Sequence, residues 1–570
     1  MGHGSDRPRP ATSRRSFLRA GGLGAALVAV GPAPRVRATG AVPQPDSPDG
    51  TASGHEQAAG GTARDPGDFE LLEASIPDLQ EGMQTGRYTA RRLVELYADR
   101  IAALDRDGPR LAQILEMNPD ALADAETLDA ERRDGHVRGP LHGVPVLLKD
   151  NVGTADRMTT SAGSLALAGS RPAKDAFVAR QLRAAGAVLL GKTNLSEWAN
   201  FRSTHSTSGW SGRGGQGRNP YALDRSPCGS SAGSGAAIAA NFAAVSIGTE
   251  TDGSIVCPSA ASSIVGIKPT VGLVSRAGII PLSHNQDTAG PMARSVADAA
   301  ILLGVIAGRD RDDPMTRPAH GRREPDYTRF LDPHGLRGAR IGVARKNFFG
   351  YSAATDAIIE SALTEMQRAG AILIDPADIP HVGEYDDTEF EVLLSDFKAD
   401  INAYLAGLGP LAPVKTLDGL IEFNERNRDR ELKYFGQEIF TMAAEKGPLS
   451  RPEYREALAA NHRLSRKEGI DAVMREHKLD AIVAPTGSPP WTIDLVNGDH
   501  FTGGSSSPAA VSGYPSLTVP AGYVFGLPVG LSFIGGPYSE GVLIRLAHAF
   551  EVATRVRRPP RFLPTADLHG

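Results

Sequence analysis

The stretch Cys228-Gly229-Ser230-Ser231-Ala232-Gly233-Ser234-Gly235, the Ala-rich run that follows it, and Ile247-Gly248-Thr249-Glu250-Thr251-Asp252-Gly253-Ser254-Ile255 decide how the rest of the chain is read. Glycines at 229, 233 and 235 admit backbone conformations that a Cβ forbids, and Ala236, Ala237, Ile238, Ala239 and Ala240 then favour helix. A helix is therefore predicted to start beside Ser230. After Asn241, the run Ala243-Ala244-Val245-Ser246-Ile247 has the length and apolar character of a short buried strand, and it empties into a polar turn at 249–254. Two serines thus sit in two glycine-bearing turns, and the second turn lies at a strand's end, where open α/β sheets place their ligands.

A serine hydroxyl is a weak nucleophile without a base. No nearby histidine has a triad setting, and Gly-x-Ser-x-Gly is not met at Ser254, which is followed by Ile255-Val256. The candidate base is Lys149, the last outward step of the apolar pattern Gly143-Val144-Pro145-Val146-Leu147-Leu148-Lys149-Asp150-Asn151. A lysine at the mouth of such a strand is desolvated, which lowers its pKa and leaves part of it neutral and able to accept a proton. Lys192 ends a similar run, Ala187-Val188-Leu189-Leu190-Gly191-Lys192, but that strand leads to Glu197, which offers it a plain ion pair. It is read as structural, and His142 and His205 are given no role.

Between these strands, residues 176–185 read as a helix ending at Gly186, so strand and helix alternate, which argues for an α/β fold with a largely parallel core. Two amphipathic helices are predicted before it, from Leu71, Leu72 and Ile76 and from Leu93, Leu96, Tyr97, Ile101 and Leu104. Further strands are predicted at 340–344, 371–374, 480–486 and 516–520, with helices at 355–369 and 542–554. Residues 386–475 are helical, charged and aromatic, with Phe390, Phe397, Tyr404, Phe423, Tyr434, Phe435 and Phe440, a stripe read as core.

The first 38 residues read as an address. Ser13-Arg14-Arg15-Ser16-Phe17-Leu18-Arg19 is a twin-arginine pattern, followed by a mild apolar run too short to span a membrane, so export to the periplasm or the outside is expected. Residues 39–67 are Gly, Pro, Ala, Ser and Asp with almost no large apolar side chain, and read as a flexible linker. The 570-residue chain carries a net charge of −5 with its basic residues scattered, which argues against a nucleic-acid partner. Two cysteines, Cys228 and Cys257, flank the serines; they read as small buried residues packing the site, with a disulfide as the alternative, and their setting offers no metal-site spacing.

In order and spacing, the Lys149 strand and the two serine turns resemble the amidase signature family of Ser-Ser-Lys hydrolases. The resemblance continues through Gly266-Ile267-Lys268-Pro269-Thr270-Val271-Gly272-Leu273, Asp287-Thr288-Ala289-Gly290-Pro291 and Gly526-Leu527-Pro528-Val529-Gly530-Leu531, and so covers the chain from about Asp68 onward. It implies a large mixed, mostly parallel β-sheet flanked by helices on both faces, forming one catalytic domain over 68–570, with the helical insertion at about 386–475 helping to wall the substrate channel. It implies further that Ser254 attacks an amide carbonyl, that Ser230 relays the proton, that Lys149 is the base, and that the Gly229-Ser230 peptide bond is cis. The oxyanion would lie among the backbone N–H groups of Thr251, Asp252, Gly253 and Ser254, while Lys268 and Asp287 would support the site.

No cofactor or metal is implied, and the expected partner is a small-molecule or short peptide amide, met by a monomer or homodimer without a stable membrane anchor. One departure stands out: the commoner family pattern has a second glycine where this chain has Asp252, whose carboxylate is expected to turn away and hydrogen-bond locally. Thr204-His205-Ser206-Thr207-Ser208-Gly209-Trp210 and the turn before Ser254 are most like members that remove the C-terminal amide of peptides. Aryl acylamidase and fatty-acid amide hydrolase specificities are the alternatives, and a glutamine-dependent amidotransferase subunit, which works in the cytoplasm with partners, is disfavoured by the outward-pointing Arg14-Arg15. An inactive binding relative is disfavoured, since binding alone has no chemical need for Lys149, Ser230 and Ser254 together.

Overall fold

The apolar runs that end in Lys149 and beyond Lys192 become neighbouring strands buried along their whole length. The structure, a computed structural model, describes residues 68–409 and 412–568; the export segment and linker expected at 1–38 and 39–67 lie outside the described residues. In chain order the strands are β1 (Ile114–Met117), β2 (Pro145–Lys149), β3 (Val188–Thr193), β4 (Trp210–Ser211), β5 (Gly215–Gln216), β6 (Val245–Glu250) and β7 (Val265–Lys268). They are followed by β8 (Thr288–Ala293), β9 (Arg340–Val343), β10 (Ile372–Ile374), β11 (Ala481–Pro485), β12 (Ser516–Val524) and β13 (Leu527–Ile534). Strands β4 and β5 make a small hairpin, and the other 11 form one sheet in the order β1-β3-β2-β6-β8-β7-β12-β13-β11-β9-β10.

Pairing is parallel in the runs β3-β2-β6 and β11-β9-β10 and antiparallel at the other neighbours. The large mixed α/β sheet is thus present, and its parallel part is narrower than the alternation of strand and helix suggests. Part of the reason lies in β8, which inserts antiparallel between β6 and β7. It carries Gly290 and Pro291, residues uncommon inside a strand, yet it pairs with β6 from Val245↔Ala293 to Glu250↔Thr288. Gly290 allows this close approach, because a Cβ there would collide with the Ile267 carbonyl of β7.

Both faces of the sheet are covered. Side chains alternate along a strand, and in β11 Ala481 and Val483 join one core with Ile359, Leu363 and Leu543 of two helices. Ile482 and Ala484 join another core with Val473 and Ala509 of two other helices. The predicted first helix spans Ile76–Gln84, where Ser75 and Asp78 form a capping box; the second, Ala90–Ile101, buries Leu93, Val94, Tyr97 and Ile101 at helical spacing. Among the described residues, no helix is long and apolar enough to cross a membrane.

The described residues between 386 and 477 hold a succession of helices beginning with Asp386–Gly407. Their aromatic stripe is core: Phe390, Phe397 and Phe440 share one cluster with Trp198 and Phe201. Phe440 meets Trp198 edge-on at 5.8 Å and Phe201 meets Phe397 at 5.4 Å. The helical layer thereby holds the segment after β3 in place beside the sheet's polar edge.

Candidate active site

Strand β2 carries Lys149 to full burial at its end, where Nζ lies 2.8 Å from Ser230 Oγ, 2.9 Å from Thr249 Oγ1 and 3.1 Å from the Thr249 carbonyl. Burial pushes its pKa from 10.5 down to about 7, and the carboxylates of Asp287 and Glu250 pull the other way. Half of such a group is neutral near neutral pH.

Ser230 stands just before the helix Ala232–Ala239, and the Gly229-Ser230 peptide bond is cis. Ser254 lies between β6 and the helix Val256–Ala261, so the two turns come from opposite ends of one helix–strand unit. They are tied together: the Ser231 N–H donates to the Ser254 carbonyl at 3.1 Å, and Ser231 Oγ donates to the Thr249 carbonyl at 3.0 Å. The unit begins as expected, while its strand starts two residues later and runs through Glu250, because pairing with β8 extends it.

Glu250 shapes the second turn by accepting from the N–H groups of Ile255 at 2.6 Å and Val256 at 3.0 Å. Gly253 takes a left-handed φ of 79°, which its missing side chain permits. Among the described residues, the backbone N–H groups of Thr251, Asp252, Gly253 and Ser254 donate to no acceptor. Four consecutive free donors beside a serine are suited to an oxygen that gains negative charge.

The Asp252 carboxylate is held by hydroxyls, with Ser506 Oγ on one oxygen and Ser507 Oγ at 2.6 Å on the other. These partners are not local, as the sequence led one to expect; they belong to a helix start some 250 residues on. Asp287, expected to support the site, accepts from Thr251 Oγ1 at 2.6 Å and from the N–H groups of Leu282 and Ser283, and loss of water raises its pKa to about 6. Lys268 donates to the Tyr514 carbonyl at 2.6 Å.

Two expectations are corrected. Lys192 does not pair with Glu197: its Nζ donates to the Val152 carbonyl at 2.6 Å and Thr160 Oγ1 at 2.8 Å, while Glu197 faces Arg202 at 3.4 Å. Cys228 and Cys257 are bonded, with their Cα atoms 6.0 Å apart. The sheet brings the two turns within disulfide reach, which a separation of 29 residues along the chain does not reveal. His142 is buried with Nε2 3.0 Å from the Leu128 carbonyl, and His205 is largely exposed.

Sequence reasoning passed over Thr249, which accepts from Lys149, and Asn151, whose Nδ2 donates to Thr249 Oγ1 at 2.9 Å. Both stand within the motifs already quoted, two residues past Lys149 and five before Ser254, so hydrogen-bonding side chains inside the motifs were the available signal. A small cleft reaches this point, lined by Asn151, Trp198, Thr249, Thr251, Ile280 and Leu282 among others.

A buried lysine against a serine, a second serine in a turn of free N–H groups, and a cleft lined by Thr249 and Thr251 beside them form a candidate hydrolytic site. Residues 92–544 match the family model described as Amidase, and the chain belongs to that family of amide C–N hydrolases. It is 54% identical to the native peptide amidase from Stenotrophomonas maltophilia, with a TM-score of 0.83, over 87% of this chain and 99% of that one. A probable amidase of Arabidopsis thaliana is 44% identical over 504 residues, 87% of this chain and 93% of the relative. The crystal structure of an amidase family protein from Bacillus anthracis is 37% identical, with a TM-score of 0.78, over 86% of this chain and 93% of that one.

Proposed function

We propose that this amidase removes the C-terminal carboxamide of peptides, releasing the acid and ammonia, and that it does so outside the cytoplasm. The observation that carries the chemistry is the 2.8 Å contact between Lys149 Nζ and Ser230 Oγ, made by a lysine whose pKa burial brings to about 7. In its neutral form Lys149 accepts the Ser230 proton as Ser230 accepts that of Ser254, and Ser254 Oγ forms the bond to the amide carbonyl carbon. The carbonyl oxygen, now negative, is taken by the N–H groups of Thr251, Asp252, Gly253 and Ser254; such donors are each worth about 3 kcal/mol in comparable sites. Collapse breaks the C–N bond, and the proton returns from Lys149 through Ser230 to the departing ammonia. Water then attacks the acyl-enzyme by the same relay, regenerating Ser254.

The choice of peptide amides rests on the 54% identity to a peptide amidase. Export is supported by Ser13-Arg14-Arg15-Ser16-Phe17-Leu18 and by the Cys228–Cys257 disulfide, since such bonds persist in oxidising compartments. The test is ammonia release from a C-terminally amidated dipeptide, with mass spectrometry of the product. A carboxylate product from the wild type and none from Ser254→Ala is the expected result; turnover of an anilide or fatty amide with no release from the peptide would overturn the substrate.

A further inference from the structure

The disulfide closes a loop with both serines just inside its ends: Cys228 is two residues before Ser230, and Cys257 is three residues after Ser254. Cys228 pays a conformational cost to stand there. Its φ of 57° is the left-handed region, which glycine or asparagine enters readily and a residue like cysteine does not.

The element at the other end needs an anchor. The helix Val256–Ala261 has six residues and no side-chain hydrogen bond at its N-cap, so by itself it positions Ser254 weakly. Its first turn is held from one side by the Glu250 carboxylate, on the N–H groups of Ile255 and Val256, and from the other by the bond through Cys257. Cys228 is 4% exposed, whereas Cys257 is partly exposed and packs with Trp491 and Phe501. Of the two residues, Cys257 is the more exposed.

We infer that the Cys228–Cys257 disulfide is a positioning clamp that keeps Ser254 in register with Ser230 and Lys149, and that breaking it slows amide hydrolysis. The inference rests on the reading of Ser254 and Ser230 given above. A dithiol reductant breaks the clamp in two exchanges: its thiolate bonds to the Cys257 sulfur as the Cys228 thiolate leaves, and its second thiolate then closes the reductant's own disulfide as Cys257 leaves. The protein gains two electrons and two protons, and the reductant loses them. Trp198, Ile280 and Leu282 of the cleft wall lie outside the loop that the disulfide closes, while Thr249 and Thr251 lie inside it, so the clamp is expected to act more on the alignment of Ser254 than on binding.

The experiment compares the oxidised full chain, the same chain after dithiothreitol with its thiols counted, and the double variant Cys228→Ser/Cys257→Ser. For each, kcat and KM on an amidated dipeptide are measured together with the rate of Ser254 labelling by a fluorophosphonate, the near-UV circular dichroism and the Tm. The clamp predicts that kcat and labelling fall by about tenfold to hundredfold in the reduced and variant proteins while KM moves by less than about twofold. Reoxidation restores the wild type, and the variant is indifferent to reductant.

Unchanged kcat and labelling in a folded protein with two counted thiols would overturn the clamp and leave a bond that only stabilises. So would activity lost only in step with the folded signal. If the double variant does not fold, the reduced wild type decides by the same readouts. If the oxidised chain labels at Ser254 yet releases no ammonia, the substrate assignment fails and the labelling rates still judge the clamp; absence of labelling overturns the serine reading and the clamp with it.

Discussion

Lys149 and Lys192 stand on neighbouring parallel strands one step out of register, with Leu148 facing Lys192 and Lys149 facing Thr193. Partners across the ladder share a face and neighbours along a strand alternate, so the two ammonium groups leave the sheet on opposite faces. Both are wholly buried, and both lose the ordinary lysine pKa to burial, reaching about 7 and about 8. They differ in what each nitrogen meets. Lys192 is held by the Val152 carbonyl and Thr160 hydroxyl, in the loop after β2, with Asp150, Asp156 and Glu116 nearby favouring its charge. Lys149 meets Ser230, in a turn hydrogen-bonded to that of Ser254. Burial makes a lysine able to be neutral; its partner decides whether neutrality has a chemical use.

Five measurements tell the two lysines and their surroundings apart. Ser254→Ala should lower ammonia release by about 10⁴-fold or more, the scale seen when a serine hydrolase loses its nucleophile; a modest loss would move the nucleophile elsewhere. Lys149→Met should lower kcat by about 10²- to 10⁴-fold, the range of a lost general base. Lys192→Met should instead leave kcat within about threefold and lower Tm, because the Val152 carbonyl and Thr160 hydroxyl each lose a buried donor at about 1–3 kcal/mol. Equal kcat losses in the two lysine variants would sink the distinction between them.

The pH profile reads the same contrast more finely. Protonated Lys149 cannot accept a proton, so kcat/KM is expected to be low in acid and to rise through about pH 7 as Lys149 becomes neutral. Asp287→Asn removes a negative charge that favours the lysine's charged form, and should therefore move that rise to lower pH. A profile that stays in place would mean that Asp287 does not act on Lys149.

Much of the fold was legible in local pattern. The buried runs of β2, β3, β11 and β12, the helix after Gly235 and the two N-terminal amphipathic helices follow from apolar spacing and caps, and the structure has them within a few residues. Strands β7, β8 and β13 were quoted as motifs without being read as strands, because Gly290 and Pro291, or Gly266 and Gly530, signal turns along the chain. Only the packed neighbours, the Ile267 carbonyl at Gly290 and the helix residues Ser259 and Ala260 at Gly266 and Gly530, reveal that a missing side chain there permits close approach. At the site, Lys149, Ser230 and the Thr251–Ser254 turn were named from the sequence and lie together. Thr249 and Asn151 were passed over, since a threonine in a turn and an asparagine after a strand are common on any surface.

By itself the sequence determined the family, the α/β class and a short set of candidates, because apolar runs, glycine turns and motif order are properties of neighbours along the chain. Tertiary structure decided that Lys192 is held by the Val152 carbonyl and the Thr160 hydroxyl rather than by Glu197, that Cys228 and Cys257 are joined, and that Asp252 rests on Ser506 and Ser507. Each of these is a contact between residues far apart in sequence. Sheet order and packing set such contacts, and no local pattern encodes them.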